Sequence, residues 1–453
     1  MANVTITDNN RKYLSLLAEK YPSPRAVTRE IININAILNL PKGTEHFMSD
    51  LHGEFEAFCH ILNNCSGVIR EKVQQLYGGV LSEDDIAELC TLIYYPADKL
   101  HRLRKTRELT DAWYRATLEH MLEIARMLSS KYTRSKVRKA MPPDYAYIID
   151  ELLHAQKDED DNQIHYHNCI LDAVIGLNAD DFVLSLAALI KRLAVDRLHI
   201  VGDIFDRGDA ADKILDLLLH HHDTDVEWGN HDILWMGAAA GSEVCMAAVV
   251  RNCLHYNALR TLESGYGISL RALTLFAERL YPNRDPMQAA LAAVTVLRFK
   301  LEGQLIRRNP DFDMDDRLLL DKIDFDSHTV TIGGVAYPLN ETEFPTIDPA
   351  DPYALTDDER AVTEDLRAAF TQSPKLQQHI RFLYDNGGMY RVYNGNLLYH
   401  GCVPLDENGD FREVRLFGKT YRGKALFDMA DETARHAFFR RRKVQQELDF
   451  MWY

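Results

Sequence analysis

The feature that most constrains the fold is a set of four short apolar runs, each of which ends in a cluster of polar residues. The runs cover residues 45–49, 197–201, 226–228 and 396–399 and have the length of strands. The clusters that follow them read SDLHGE (49–54), GDIFDRG (202–208), GNHD (229–232) and YHGC (399–402). Because ligands of open α/β sheets bind beyond the carboxyl ends of the strands, we expect the four clusters to converge on one site.

The side chains of these clusters predict a metal site. The candidate donors are Asp50, His52, Asp203, Asn230 and His400, a mixture of hard and borderline ligands that suits Mn, Fe or Zn. Glycines before Asp203 and Asn230 would let the backbone turn sharply and crowd the donors together. One motif alone is an ordinary strand–loop junction or turn, but three of them in this order, each after a strand, favour a metal centre.

Composition narrows the class of protein. The 52 Lys and Arg residues against 68 Asp and Glu give a formal charge of −16, which argues against nucleic acid or an anionic membrane as the main partner. Seven scattered cysteines indicate a reducing compartment. No secretory signal is visible, and the longest apolar stretch, near 182–195, is interrupted by polar residues and falls short of a membrane span. We therefore expect a cytoplasmic protein.

The order of the motifs resembles that of the calcineurin-like metallophosphoesterases. About 150 residues separate Asp50 from Asp203. Within this segment the apolar residues recur mostly at the spacing of helices. This long insertion closely resembles that of the class III fructose-1,6-bisphosphatases of bacteria. So do the segments EHFMSDLHGE, YIIDELL (147–153) and VEWGNHDILWMGAAAG (226–241). The resemblance extends from near residue 10 to the last residue.

The resemblance implies an α/β fold, in which a two-layer metallophosphoesterase sheet core is flanked by helices and carries a large helical insertion. The implied segments are N-terminal helices over 1–44, the core over 45–53 and 195–427, the helical insertion over 54–194 and a C-terminal helix over 428–453.

Two Mn²⁺ ions are implied by the same resemblance. The first would be held by Asp50, His52 and Asp203, and the second by Asp203, Asn230 and His400, so that Asp203 bridges them. Family members complete the second site with a histidine in a later Gly-His motif, and this sequence contains no Gly-His dipeptide. The chain ends in Asp449-Phe-Met-Trp-Tyr453, an apolar end to a helix, so we expect a C-terminally shortened family member with an uncovered end, a weaker second metal site and low activity.

The implied mechanism is in-line attack on phosphorus by a hydroxide that bridges the two metals. Arg207 would clamp the phosphoryl oxygens, and Asn230 would help to orient them. His231 would donate a proton to the leaving alkoxide, while Asp206 holds its ring. The implied reaction converts fructose 1,6-bisphosphate to fructose 6-phosphate and phosphate.

Several alternatives stay open. Lys419 and Arg422 are candidates for binding the second phosphate of the substrate, or they belong to a solvated basic loop. The activity could instead be another phosphoesterase reaction, on phosphoprotein or a dinucleotide, or the chain could bind a sugar phosphate without turnover. The expected partner is a small sugar bisphosphate rather than nucleic acid or a membrane, and homo-oligomer formation is left open.

Overall fold

The computed structural model describes residues 8–155 and 160–453, which form two compact units. One unit contains Leu62–Asp196 together with the N-terminal segment to Glu45, and the other contains His46–Ile61 and Arg197–Tyr453. The fold is mixed α/β, mostly helical, with several small sheets.

The first unit is helical. Its helices are α1 (Asp8–Lys20), α2 (Pro24–Leu38), the end of α3 (Phe55–Asn64), α4 (Val68–Tyr77), α5 (Glu83–Tyr94), α6 (Pro96–Thr106), α7 (Asp111–Ser129), α8 (Arg134–Ala140), α9 (Ala146–His154) and α10 (Asp161–Ala194). Side-chain oxygens of Ser82, Thr110 and Thr133 cap α5, α7 and α8 by accepting backbone N–H bonds. Fully buried apolar residues of α5, α7 and α10, such as Ile86, Leu118 and Phe182, form the core.

Helix α10 is longer than the apolar run predicted from the sequence. Its 34 residues include a break from helical geometry at Asn178, and it is long and apolar enough to cross a membrane by length and composition alone. Such a helix is weak evidence for a membrane span, because the core helix of a soluble protein passes the same test. Phe182, Leu186 and Ile190 of α10 are fully buried in the core of the helical unit.

The second unit is built on a four-stranded sheet of order β1-β2-β3-β7. Its strands are β1 (Glu45–Met48), β2 (Arg197–Val201), β3 (Thr224–Glu227) and β7 (Gly387–Gly388). Strand β3 pairs in parallel with both β2 and β7. The first three predicted strands are therefore present, and their polar clusters follow β1, β2 and β3.

The fourth predicted strand is present, but it lies in a different sheet. Residues Asn396–Leu398 form β9, which pairs with β8 (Arg391–Tyr393) in a separate antiparallel hairpin rather than joining the parallel sheet. The cause is the two-residue loop Asn394-Gly395, in which both residues have positive φ, as a tight hairpin turn requires. A parallel partner would have needed a long crossover instead.

The remaining elements surround this sheet. They are helices α11 (Ala211–Leu218), α12 (Asn230–Ala240), α13 (Glu243–His255), α14 (Arg271–Leu280), α15 (Pro286–Arg308), α16 (Asp357–Gln372) and α17 (Pro374–Asn386), and strands β4 (Ile323–Asp324), β5 (Thr329–Ile332), β6 (Val335–Pro338), β10 (Val414–Leu416) and β11 (Lys419–Tyr421). Strands β5 and β6 form a predicted hairpin around Gly333 and Gly334.

The C-terminal segment differs from the single helix expected over 428–453. It contains α18 (Lys424–Phe439) and α19 (Gln445–Phe450), separated by an extended stretch. The expected apolar end is only partly uncovered, because Tyr453 is 42% exposed whereas Phe450, Met451 and Trp452 are buried or half-buried. Met451 is 3% exposed, and the Trp452 indole N–H donates to Glu302 over 3.1 Å. The buried carboxylate of Asp449 accepts hydrogen bonds from Arg308 and Asn309.

Candidate metal centre

The loops after β1 and β2 run side by side and present the first three candidate ligands. The backbone N–H groups of Asp50, His52 and Gly53 donate to the carbonyls of Gly202, Asp203 and Ile204 over 3.0, 2.9 and 2.8 Å. These bonds fix the spacing of the two motifs, although the motifs lie far apart in the chain.

Gly202 and Gly229 each let another residue of the centre come close to the backbone, for different reasons. Gly202 has a φ of +81°, and a Cβ there would collide with the imidazole of His400, so the predicted sharp turn is confirmed. Gly229 has an ordinary φ of −85°, so the passage from β3 to α12 uses no backbone conformation that only glycine favours. A Cβ on Gly229 would instead collide with the carboxylate of Asp203. Gly229 is thus required by space rather than by backbone conformation.

Ligand atoms of Asp50, His52 and Asp203 all lie within 4.8 Å of one another. Nε2 of His52 is 3.7 Å from Asp50 Oδ1, 3.7 Å from Asp203 Oδ2 and 3.9 Å from Asp206 Oδ2. Carboxylates gathered around one imidazole, with Asp203 only 5% exposed, repel one another unless a cation neutralises them. The donor set therefore fits a divalent metal ion.

His400 joins the cluster from outside the parallel sheet. Its Nδ1 lies 2.9 Å from the carbonyl oxygen of Val201, to which only a protonated Nδ1 can donate. That bond leaves Nε2 available as a metal ligand, and Nε2 lies 3.4 Å from Oδ2 of Asp203. Oδ2 of Asp203 therefore faces both His52 and His400, the arrangement that a shared carboxylate needs.

Three residues that were predicted to act on the phosphate lie next to this cluster. The backbone N–H of His231 donates to Asp203 Oδ1 over 3.1 Å, and Nδ1 of its ring is 3.3 Å from Asp206 Oδ1. Nε of Arg207 donates to Asp206 Oδ2 over 3.2 Å, while most of the Arg207 side chain is exposed. Asn230 is the exposed first residue of α12, next to His231.

The other two predicted substrate ligands lie on a different element. Lys419 is on β11 and Arg422 follows it, and both are exposed. Within residues 8–155 and 160–453, neither side chain makes an ion pair or a hydrogen bond with the cluster. Their binding of a second phosphate stays a prediction.

The sequence interpretation assigned no role to Asp232, which organises the centre. Its side chain is fully buried and accepts backbone N–H bonds from Asp203, Ile204, Phe205 and Gly229, at 2.9 to 3.2 Å. Burial raises the pKa of Asp232 to about 7, and its backbone hydrogen bonds oppose that shift. The signal was available, because an Asp three residues after Gly229 is placed to cap the start of α12.

Comparison with known proteins adds a family. Residues 12–453 match the family profile described as Firmicute fructose-1,6-bisphosphatase. The fructose-1,6-bisphosphatase class 3 of Clostridium novyi is 47% identical over 475 positions, which cover all of this chain and 71% of that protein. The protein of the same name from Clostridium acetobutylicum is 48% identical over 469 positions, covering 98% of this chain and 70% of that protein. No solved structure matches.

Proposed function

This chain belongs to the class 3 fructose-1,6-bisphosphatases, and on that premise we propose that the Asp50–His52–Asp203 cluster is its active centre. The reaction is hydrolysis of D-fructose 1,6-bisphosphate to D-fructose 6-phosphate and phosphate, a step of gluconeogenesis. The observation that carries the proposal is the carboxylate–imidazole–carboxylate cluster, held at one edge of the sheet in a chain of this family.

Two Mn²⁺ ions would complete the centre. Asp50, His52 and Asp203 would hold the first, and Asp203, Asn230 and His400 the second. The distances from Asp203 to His52 and His400 support the shared role of its carboxylate. When bound, such ions supply the positive charge and the water activation that hydrolysis of a phosphate ester requires.

Arg207 would bind the phosphoryl group that is cleaved. Its Nε is bonded to Asp206, which orients the guanidinium and leaves its remaining N–H donors for phosphate oxygens. Asn230 would add an amide donor from the start of α12, where the backbone N–H groups also favour an anion.

His231 would donate the proton that the leaving alkoxide needs. Its Nδ1 lies 3.3 Å from Asp206 Oδ1, so an N–H at that nitrogen would point to the carboxylate and orient the ring. Nε2 is then the atom that gives its proton to the sugar oxygen.

The proposal includes a metallophosphoesterase fold for the sheet-containing unit and a cytoplasmic location for the protein. The parallel sheet with its ligands at the carboxyl edge supports a metallophosphoesterase core, with the helical unit as its insertion. Seven free cysteines support a reducing, cytoplasmic location.

The proposal is tested by phosphate release from fructose 1,6-bisphosphate after chelation and reloading with Mn²⁺, Mg²⁺ or Zn²⁺. We expect Mn²⁺ to restore activity, and Asp203→Asn to lose both bound metal and activity, because both sites share this carboxylate. Asp209→Asn is the matched control, since Asp209 is exposed on the same loop.

Two results would contradict the assignment. Hydrolysis of a phosphoprotein or dinucleotide, but not of the sugar bisphosphate, would indicate another phosphoesterase. Binding of the sugar phosphate without turnover at any metal concentration would indicate a binding protein.

A further inference from the structure

We propose that Lys213 binds the phosphate of the substrate that is not cleaved. The inference rests on the proposed function, because it requires a substrate with two phosphate groups. One phosphate would lie at the metal cluster with Arg207. The other needs a cation outside that cluster, at the distance set by a six-carbon sugar.

Lys213 lies where the two metal-binding loops continue into helices. It is in the first turn of α11, which begins soon after the loop that carries Asp203 and Arg207. Its Nζ is 5.5 Å from the ring centroid of Phe55, the first residue of α3. Phe55 is three residues beyond His52, so its Cα lies within about 11 Å of the Cα of that ligand.

The two segments are held together by backbone bonds. The N–H of Gly208 donates to the carbonyl of His52 over 2.7 Å, and the N–H of Gly53 donates to the carbonyl of Ile204 over 2.8 Å. The pair formed by Lys213 and Phe55 is thus placed by the same loops that present the metal ligands. Ligands of such sheets bind beyond the carboxyl ends of the strands, which is the side on which these loops lie.

The charge of Lys213 is available to a ligand. Its side chain is exposed, and within the described part of the chain its ammonium group makes neither an ion pair nor a hydrogen bond. Exposed carboxylates of Glu54, Glu56 and Asp209 lie on the same segments, yet Lys213 lies over the Phe55 ring instead.

Neighbouring cations of this region are already neutralised. Nη2 of Arg260 is 2.6 Å from the buried carboxylate of Asp212, and Nζ of Lys375 is 3.1 Å from the same carboxylate. The two cations also neutralise the negative charge of Asp212, which lies next to Lys213 in the first turn of α11. Because α3 and α11 both begin here, their positive N-terminal ends add to the attraction for an anion.

The test compares two substrates that carry the same cleaved ester. Fructose 1,6-bisphosphate has the second phosphate and fructose 1-phosphate lacks it. For Lys213→Gln, we expect kcat/KM for the bisphosphate to fall about 10- to 100-fold, the effect of losing one charge-assisted contact, mostly through a higher KM. The value for the monophosphate should change less than about 2-fold, within the scatter expected of a surface substitution.

Variants separate charge from structure. Lys213→Arg keeps the charge and should recover most of the lost activity on the bisphosphate. Lys20→Gln is the matched control, because Lys20 is an exposed lysine of the helical unit whose Nζ lies 5.3 Å from the Tyr21 ring. The double variant Lys419→Gln/Arg422→Gln tests the rival basic pair.

The outcomes are distinct. A wild-type protein inactive on the bisphosphate would refute the proposed function itself. If the wild type is active, the role of Lys213 is overturned when Lys213→Gln lowers kcat/KM equally for the two substrates or for neither of them. Selective loss in the Lys419/Arg422 double variant, with Lys213→Gln unchanged, would place the second phosphate on β11.

Discussion

Asp203 is the residue around which the centre is organised, and each of its polar groups has a separate task. Oδ2 faces the imidazoles of His52 and His400, Oδ1 accepts the backbone N–H of His231, and its own N–H is bonded to Asp232. Its φ of +56° is uncommon for a residue with a side chain. Asp50, His52 and Asp206 also have positive φ, so part of the backbone strain of the chain lies at the candidate site, where surrounding hydrogen bonds maintain it.

The role of His231 is tested by His231→Gln. The substitution keeps the backbone bond to Asp203, so we expect metal binding to be retained while turnover of the sugar bisphosphate falls about 10²–10⁴-fold. An aryl phosphate has a leaving group that needs no proton, so its hydrolysis should fall much less. Equal losses for the two substrates would argue against proton donation by His231.

Asp232 is tested by Asp232→Asn. An amide offers one acceptor oxygen, so its NH₂ group would face backbone N–H donors that the carboxylate now satisfies. We expect a loss of about 1–3 kcal/mol in the free energy of unfolding and metal affinity weakened about 10–100-fold. Urea unfolding and metal titration measure the two effects. A folded variant with wild-type metal affinity would show that Asp232 does not position the centre.

At the scale of elements, the two faces of the parallel sheet differ. Leu198, Ile200 and Val226 form a fully buried apolar face. On the other face, His199 is paired with Asp225 over 2.7 Å, and Glu227 lies one position further along β3 from Val226. Parallel sheets usually bury apolar residues on both faces, so this charged layer is unusual for the fold class.

Glu227 gives this layer a measurable pH dependence. Burial, followed by the charge of Asp225, raises the pKa of Glu227 to about 8. Between the unfolded pKa near 4.5 and about 8, the unfolded chain loses a proton that the folded chain keeps, so this group makes stability fall as pH rises.

The test measures the free energy of unfolding of the wild type and of Glu227→Gln as a function of pH between 5 and 8. Glutamine cannot titrate, so we expect the variant to lose less stability on raising the pH, by at most about 1.4 kcal/mol per pH unit. Parallel curves for the two proteins would contradict the raised pKa.

At the scale of the whole molecule, the candidate metal ligands all lie in one of the two compact units. Asp50, His52, Asp203, Asn230 and His400 all belong to the unit formed by His46–Ile61 and Arg197–Tyr453. The other unit has its own continuous apolar core. Metal binding should therefore directly stabilise the unit that contains the candidate ligands, and not the helical unit.

Hydrogen exchange measures this difference. Adding Mn²⁺ at about 100 times its Kd stabilises a binding-competent unit by about 2.7 kcal/mol, which slows exchange of its globally protected amides about 100-fold. We expect that slowing in peptides covering 197–205 and 226–235, and little change in peptides from 182–194 of α10. Asp203→Asn should abolish the effect. Equal protection in α10 would show that the two units unfold together.

The sequence determined the parts of this protein that depend on local order. Strands β1, β2 and β3 are short apolar runs, and polar motifs follow them because parallel strands expose their carboxyl ends at one edge. The candidate ligands Asp50, His52 and Asp203 follow from that rule and from the family resemblance. The hairpin of β5 and β6 follows from its paired glycines.

Only the tertiary structure decided the features that depend on distant contacts. His400 reaches Asp203 from a separate hairpin, because its Nδ1 is bonded to the carbonyl of Val201 at the end of β2. Asp232 satisfies N–H groups some 27 to 29 residues away. The C-terminal segment is tied to the fold in part by the Trp452 indole N–H, which donates to Glu302, 150 positions earlier in the chain. Motif order predicts that His400 joins Asp203, but not that it comes from a separate hairpin. It carries no information about the contacts of Asp232 and Trp452, since burial and hydrogen-bond satisfaction are set by elements that meet only in the folded chain.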